Sequence, residues 1–221
     1  MISLIVTTRN RPDFLYRCLL AISRQNCRKF ECIVVGDHCQ YAEAVCKLFD
    51  VRYIGYEGES IENVGAVGKN IGIEAAKYER ICYCDDDNIL LHNHIHAFDM
   101  VAAAFSATKF LEVKHGDSAA FNILNRPLYD TKNHRLGKSD ALTICHSKAL
   151  WKEIGGWQPS SKVGYNEDGY FIDKLERLAA KVEVPELTAI YYSYSKNFSE
   201  YNKLLPAANP IVYPELIKEW T

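Results

Sequence analysis

The chain has 221 residues, of which 48% are hydrophobic and 24% are charged, and its formal net charge is -2. This composition is typical of a globular domain and excludes a disordered or fibrous protein. With no broad basic surface, nucleic acid is not expected as a partner, and no apolar run reaches the roughly 18 residues that a membrane-spanning helix needs.

The cysteines and the start of the chain bear on where the protein works. The eight cysteines lie mostly inside apolar runs and form no CxxC pair, which predicts buried, reduced thiols rather than disulfides or a zinc site. The apolar residues 1–6 run directly into Thr7, Thr8 and Arg9, so they are too few for the hydrophobic core of a signal peptide. We therefore expect a cytoplasmic protein without a transmembrane segment. Peripheral association with the cytoplasmic face of the membrane is compatible with this expectation.

Residues 1–84 alternate short apolar runs with amphipathic stretches, a pattern typical of parallel strands joined by helices. Proline is favoured at the first position of a helix, so Pro12 marks the start of the first one. In sheets of this class, ligands bind at the carboxyl ends of the strands. The pattern predicts strands over residues 2–6, 32–35, 51–54 and 80–84, and helices over residues 12–22, 42–49 and 65–77.

The second half of the chain continues the same α/β domain, for which we predict the boundaries 1–192. A tail over residues 193–221 contains three prolines and is predicted to be irregular, and the polar residues 125–138 are predicted to form a loop. Further predictions are helices over residues 94–106, 148–154 and 166–180, strands over 110–113, 118–124 and 141–145, and one or two strands within 182–192.

The strongest chemical signal is the triplet Asp85, Asp86 and Asp87, directly after a predicted strand. Adjacent carboxylates raise one another's pKa unless a cation lies among them, and oxygen-rich clusters of this kind suit Mg²⁺ or Mn²⁺. If the strand geometry continues, Asp85 and Asp87 lie on one side of the strand and Asp86 on the other. The alternative is a solvated acidic turn, but the position at a strand's carboxyl end favours a site.

A second signal is Asn166, Glu167 and Asp168 at the head of a predicted helix. Helix capping and the helix dipole are sufficient to explain such residues. Asp168, however, is in line with Phe171 and Leu175 on the inward face of the helix. A partly desolvated carboxylate in that position is a candidate general base.

Three weaker features also lie after predicted strands. Thr7 to Asn10 and Gly36 to His38 follow the first two strands, where turn chemistry is the alternative explanation. Gly65 to Gly72 would let the backbone approach a phosphate, with Lys69 as the cation. This segment lacks the spacing of a P-loop, and no GxGxxG follows the first strand, so a dinucleotide site is not supported.

Two clusters are interpreted structurally. For His92, His94 and His96, a solvated helix start is favoured over a metal site. For Tyr191, Tyr192 and Tyr194, half-buried packing is favoured over a platform for a sugar ring.

Taken in order, the motifs resemble the family 2 glycosyltransferases, which have the GT-A fold, a single Rossmann-like α/β domain with a mixed, mostly parallel sheet. Residues 2–12 (ISLIVTTRNRP) are similar to the opening strand and turn of that family, and residues 34–37 (VVGD) to its nucleotide-base segment. Residues 63–72 (NVGAVGKNIG) resemble its NxGxxxARNxG stretch, with Lys69 in the place of the arginine. The aspartate triplet resembles its DxD motif, and Gly155-Gly156-Trp157 followed by Glu167-Asp168 resembles its GGF and ED elements.

The resemblance implies a role for individual residues. Thr7 and Asp37 would contact the nucleotide base, Arg9 and Lys69 would lie near the base or the phosphates, and Asp86 would meet the ribose. Asp87, with Asp85, would hold Mn²⁺ or Mg²⁺ on the diphosphate. Asp168 would be the catalytic base, and Trp157 and Glu167 are candidates for the acceptor site.

The implied reaction is the metal-dependent transfer of a sugar from a nucleoside diphosphate, most favourably a UDP-type donor, to a hydroxyl group of a glycan or glycolipid. A divalent cation stabilises the departing diphosphate, and a base opposite the leaving group makes a single inverting displacement. Two alternatives stay open: a sugar-1-phosphate nucleotidyltransferase, and a non-catalytic subunit that binds nucleotide sugars.

Overall fold

The computed structural model describes residues 1–58, 64–115, 140–163 and 167–194. Strands and helices alternate through the first half of these residues, as predicted. The strands are β1 (Ile2–Thr8), β2 (Phe30–Asp37), β3 (Arg52–Tyr56), β4 (Arg80–Asp85), β5 (Ile89–Leu90), β6 (Phe105–His115), β7 (Ile144–Ser147) and β8 (Val182–Tyr194). The helices are α1 (Pro12–Ser23), α2 (Ala42–Leu48), α3 (Val64–Ala75), α4 (His94–Asp99), α5 (Lys148–Ile154), α6 (Ser160–Val163) and α7 (Glu167–Leu178).

The strands form one mixed sheet in the order β3-β2-β1-β4-β7-β6-β8-β5. The first four strands of this order are parallel to one another, while β7 is antiparallel to both of its neighbours. The register places Thr7 beside Val35 on one side and Asp85 on the other. The carboxyl ends of β1, β2 and β4 therefore meet at one edge of the sheet, which confirms the α/β prediction.

The core consists of two layers, because alternate residues of a strand point to opposite faces of the sheet. Leu4 packs with α1, α2 and α4, while Ile5 packs with α3, α5 and α7. Helix α3 lies close against β1, and a Cβ atom added to Gly72 would collide with the side chain of Ile5. This close approach places the first turns of α3 beside the carboxyl end of β1.

Two of the predicted elements differ in the structure. The helix predicted over residues 94–106 ends at Asp99, and β6 begins at Phe105. Phe105 pairs with His146 of β7, and this pairing overrides the helical preference of the alanines that precede it. The strand predicted over 141–145 is a 3₁₀ turn, Ala141–Thr143, followed by β7.

Other predictions differ in detail or fall where no comparison is possible. His94 is fully buried and faces Thr188, so the solvated helix start predicted for the histidine cluster is wrong at this position. The predicted strand 118–124, the predicted loop 125–138 and the tail from residue 195 lie outside the described residues, as does Asn166. Among the described helices, none is long and apolar enough to cross a membrane.

Candidate active site

Side chains from β1 and β4 are tied together at the carboxyl edge of the sheet. The hydroxyl Oγ1 of Thr7 donates to Asp85 Oδ1 at 3.0 Å, and the hydroxyl of Thr8 donates to Asp86 Oδ2 at 2.6 Å. Strand β4 ends at Asp85, and the chain then turns, with the backbone N–H of Asn88 donating to the Asp85 carbonyl. Because of this turn, the expected strand alternation does not extend to the end of the triplet.

Arg11 holds the second and third aspartates of the triplet. Its Nε donates to Asp86 Oδ2 at 3.0 Å, its Nη1 lies 3.1 Å from Asp87 Oδ2, and its Nη2 also pairs with Asp86. Asp86 and Asp87 therefore face the same cation, whereas strand geometry predicted opposite sides. Burial raises the pKa of Asp86 to about 7, with Asp87 adding to the rise and Arg11 opposing it.

Sequence reasoning assigned no role to Arg11. The residue was part of the quoted opening motif, but its partners lie 75 residues further along the chain. The neighbouring Pro12 starts α1 and thereby fixes the direction of the chain after β1. This placement of Arg11 is a consequence of tertiary structure that no local pattern indicates.

Asp37 is the predicted site residue at the end of β2. It is 1% exposed, and its two carboxylate oxygens lie 3.2 Å from Arg9 Nε and 2.6 Å from His38 Nδ1. The structure therefore brings Arg9 and Asp37 together, as the resemblance requires. Their roles toward a nucleotide stay predictions.

Lys69 and Asp168 meet across the site although they come from different helices, α3 and α7. Lys69 Nζ donates to Asp168 Oδ1 at 3.2 Å, and Lys69 is only 3% exposed. Burial by itself lowers the pKa of Lys69, but the carboxylates of Asp168, Asp85 and Glu167 outweigh burial and raise it. The ammonium group is therefore a fixed positive charge between the triplet and the head of α7.

Glu167 also faces this charge. Burial raises its pKa, Lys69 opposes the rise, and Asp168 and Asp85 add to it. Within the described part of the chain, its Oε2 is buried and has no hydrogen-bond partner. The predicted contact of Glu167 with an acceptor stays a prediction.

Trp157 reaches the site through a turn made by two glycines. Gly155 and Gly156 have φ values of 85° and 80°, in the left-handed region that glycine adopts most readily. The turn delivers the Trp157 N–H to Asn70 Oδ1 at 2.8 Å and the Trp157 carbonyl to Asn70 Nδ2 at 2.9 Å. Trp157 is 2% exposed, and Lys69 Nζ lies 4.6 Å from its ring centroid.

Asp140 and Tyr191 also face the carboxylates of the site, and the sequence analysis predicts neither as a site residue. Asp140 accepts a hydrogen bond from the Leu142 N–H at 2.9 Å, and burial raises its pKa to about 7, aided by Asp168 and Asp85. Burial, then the carboxylates of Asp140 and Asp87, raise the pKa of Tyr191 to about 12. No motif marked Asp140, and the packing predicted for Tyr191 is present, since its ring lies 5.7 Å from that of Phe110.

The acidic groups would suit a divalent cation if a bound phosphate group supplied further oxygen ligands. In the described part of the chain, no three His, Cys, Asp or Glu side chains lie close enough to hold a metal ion by themselves. The described side-chain contacts of Asp85 and Asp87 use one oxygen of each carboxylate. One or two carboxylates combined with phosphate oxygens and water are a usual environment for Mg²⁺.

Comparison with known proteins agrees with the fold and the motifs. A family model described as glycosyl transferase family 2 matches residues 3–98. The uncharacterized glycosyltransferase YwdF of Bacillus subtilis (strain 168) is 30% identical over 94 residues, which are 42% of this chain and 35% of YwdF. The chain thus spans about a third of the length of this curated relative.

Two solved structures illustrate the similarity of the fold. Staphylococcus aureus TarS 1-349 in complex with UDP-GlcNAc has a TM-score of 0.66 and 17% identity, covering 89% of this chain and 59% of that chain. The mannosyltransferase PcManGT from Pyrobaculum calidifontis, in complex with GDP-Man and Mn²⁺, has a TM-score of 0.64 and 15% identity, covering 90% of this chain and 59% of that chain.

The described α/β domain therefore has the fold of these solved structures, which agrees with the GT-A fold expected from the sequence. Residues 3–98, which contain the aspartate triplet and Lys69, are similar to glycosyl transferase family 2 and make up less than half of the chain.

Proposed function

We propose that this chain carries the donor-binding and catalytic part of a glycosyltransferase that moves a sugar from a nucleoside diphosphate to an acceptor hydroxyl with inversion. The single observation that supports this most strongly is the ion pair between Lys69 and Asp168 beside Asp85. It joins Lys69 of α3, the triplet that begins at the end of β4 and the head of α7 in one site. The catalytic domain is proposed to span residues 1–192.

The donor is proposed to lie along the carboxyl edge of β1, β2 and β4. Thr7 and Asp37 are proposed to contact the nucleotide base and Asp86 to meet the ribose, while Arg9 pairs with Asp37. Lys69, a buried cation of the site, is proposed to lie near the base or the phosphates. The similar structures of TarS 1-349 and PcManGT are complexes with UDP-GlcNAc and GDP-Man, respectively, and we propose a UDP-type donor here.

Asp85 and Asp87 are proposed to hold Mn²⁺ or Mg²⁺ together with the diphosphate. Such a cation supplies Lewis-acid stabilisation of the leaving group when it is bound. Two neighbours would orient these carboxylates: Arg11 pairs with Asp87, and Thr7 donates to one oxygen of Asp85.

Asp168 is proposed to remove the proton from the acceptor hydroxyl. Its side chain is 31% exposed, so an acceptor can reach it from solvent, while Lys69 holds one of its oxygens. General-base catalysis of this kind typically contributes about 10²- to 10⁴-fold to the rate. Glu167 and Trp157 are proposed to shape the acceptor side, and the acceptor is proposed to be a glycan or glycolipid, as in polysaccharide assembly.

The proposal is tested by binding and turnover measured separately. Thermal shift with UDP, UDP-GlcNAc and GDP-mannose, each with and without Mn²⁺, should show stabilisation that needs both nucleotide and metal. Release of UDP or GDP should then be measured with an acceptor panel for the wild type and for Asp168→Asn. We expect the variant to bind donor normally and to lose about 10²- to 10⁴-fold in turnover.

Each outcome separates the candidates. Normal transfer by Asp168→Asn would remove the assignment of the base. Pyrophosphate release from a nucleoside triphosphate and a sugar phosphate would favour a nucleotidyltransferase. Donor binding without hydrolysis or transfer, and without an effect of Asp168→Asn, would favour a non-catalytic subunit.

A further inference from the structure

Lys69 lies between a carboxylate and an aromatic face. Its ammonium nitrogen is 3.2 Å from Asp168 Oδ1 and 4.6 Å from the centroid of the Trp157 ring. Lysine has a flexible four-carbon stem and a point charge that can take several directions. A cation over an aromatic face in a desolvated site is stabilised by the ring quadrupole. The two contacts therefore fix where the ammonium group lies, and hence where it holds Asp168.

The Trp157 ring is itself fixed by its neighbours in the core. It stacks on Phe171 with centroids 4.0 Å apart and an interplanar angle of 16°. Its Nε1 donates to the hydroxyl oxygen of Tyr83 at 3.0 Å. The indole therefore cannot tilt without breaking a buried hydrogen bond and a ring stack.

Tyr83 is oriented in turn by His146. The Tyr83 hydroxyl lies 2.5 Å from His146 Nε2, and His146 Nδ1 lies 2.8 Å from the Ser147 carbonyl. A carbonyl only accepts, so Nδ1 carries the proton and Nε2 accepts from Tyr83. The tyrosine oxygen is then left to accept from Trp157. Burial lowers the pKa of His146 to about 4, so this direction of the hydrogen bonds persists at neutral pH.

We propose that Trp157, held by Tyr83 and His146, is a positioning residue that fixes Lys69 and, through Lys69, orients the base Asp168. This inference rests on the proposed function for the role of Asp168, whereas the placement of Lys69 by Trp157 does not depend on it. In this proposal Trp157 acts by holding Lys69 in place rather than by contacting an acceptor.

The chain offers a matched control in Trp151. Its Nε1 donates to Asn70 Oδ1 at 2.8 Å, and it packs against the same side of the core. Trp151→Phe and Trp157→Phe thus each remove one indole hydrogen bond. Of the two rings, that of Trp157 lies under the ammonium group of Lys69. Tyr83→Phe removes only a hydroxyl group. It deletes the hydrogen-bond acceptor of the Trp157 indole and leaves the indole ring itself in the protein.

The first experiment observes Lys69 directly, by NMR of protein labelled with ¹³C at the lysine ε carbon. The ring current of Trp157 should shift the Lys69 ε protons upfield, and Lys69→Met assigns the signal by removing it. Tyr83→Phe should reduce this shift and Trp151→Phe should leave it unchanged. A Lys69 signal without an upfield shift, or one that Tyr83→Phe and Trp151→Phe affect equally, overturns the inference.

The second experiment is a kinetic double-mutant cycle on donor turnover. Tyr83→Phe should lower kcat about tenfold without raising the KM for the donor, a loss within the roughly 30-fold that a desolvated cation–π contact can contribute. In the Lys69→Met background, Tyr83→Phe should have no further effect on kcat. Equal losses in both backgrounds overturn the positioning role. A wild type that binds no nucleotide sugar would instead refute the proposed function, and the NMR measurement would still decide whether Trp157 fixes Lys69.

Discussion

Arg11 allows a sharp test of the electrostatics at the triplet, because it pairs with a carboxylate that has no access to solvent. Asp86 has a side-chain exposure of 0%, and burial raises its pKa from 3.8 to about 7 even with Arg11 beside it. Between the pKa of Asp86 in the unfolded chain and its raised pKa in the folded protein, the folded protein holds a proton that the unfolded chain has lost. The stability of the fold therefore decreases as the pH rises through this range. In the wild type this loss is complete near pH 7.

Replacing Arg11 by Gln removes the charge that limits the rise. The folded-state pKa of Asp86 then moves higher, so the loss of stability continues above pH 7 in the variant and not in the wild type. The slope is about 1.4 kcal/mol per pH unit, and by pH 9 the variant should have lost about 3 kcal/mol more than the wild type. Below pH 7 Asp86 is largely protonated in both proteins, so the difference in the free energy of unfolding between Arg11→Gln and the wild type should be small.

The measurement is urea denaturation at pH 6, 7.5 and 9, with Arg28→Gln as the control. Arg28 donates to the Ser23 carbonyl in an exposed position, so its replacement should cost little and equally at each pH. The reasoning would be wrong if the destabilisation by Arg11→Gln were the same at pH 6 and pH 9.

Three further predictions concern Asn70, Asp87 and His94. Asn70→Ala removes three described hydrogen bonds, two to the Trp157 backbone and one to the indole N–H of Trp151, and urea denaturation should show a free energy of unfolding lower by about 3 kcal/mol. The control Asn93→Ala removes one described bond of 3.2 Å and should cost under about 1 kcal/mol. Asp87→Ala should abolish the extra thermal stabilisation that Mn²⁺ gives with UDP, and an unchanged Mn²⁺ response would exclude Asp87 as a ligand. Burial lowers the pKa of His94 to about 3, so the unfolded chain binds a proton at this position below about pH 6.5 and the folded protein does not. From pH 6.5 to pH 5 the wild type should therefore lose about 2 kcal/mol more free energy of unfolding than His94→Gln. Parallel profiles of stability against pH for the two proteins would contradict this prediction.

The local pattern was sufficient for the first half of the fold. Pro12 marks the start of α1, and the alternation of apolar runs with helical periodicity located β1 to β4 within a few residues. These features depend on neighbours in sequence. The end of α4 could not be predicted in this way, because Phe105 belongs to a strand only through its pairing with His146 on β7.

The same distinction applies to the site. The triplet and Asp168 were found because their residue types stand out at the ends of elements. Arg11 and Asp140 were not, since what makes them important is a charge contributed by a distant segment: Asp86 for the first, Asp168 and Asp85 for the second. A carboxylate that caps a short turn looks the same in sequence whether it faces solvent or another carboxylate.

The charge balance of the site is the feature that connects these residues to the proposed chemistry. In the part of the chain that the structure describes, carboxylates outnumber the cations Arg11 and Lys69 that lie among them. Burial is the largest cause of the raised pKa values of Asp86, Asp87 and Asp140, and repulsion between neighbouring carboxylates adds to the rise. A nucleoside diphosphate would add further negative charge to this edge of the sheet. Its binding is therefore favourable only if protons or an added cation neutralise the excess, and a divalent cation does so without removing the carboxylate charges that orient it. This argument supports the proposal of a metal that enters with the donor. Asp85 and Asp87 each have one oxygen held by a neighbour, and the substrate would supply the remaining oxygens to such a metal.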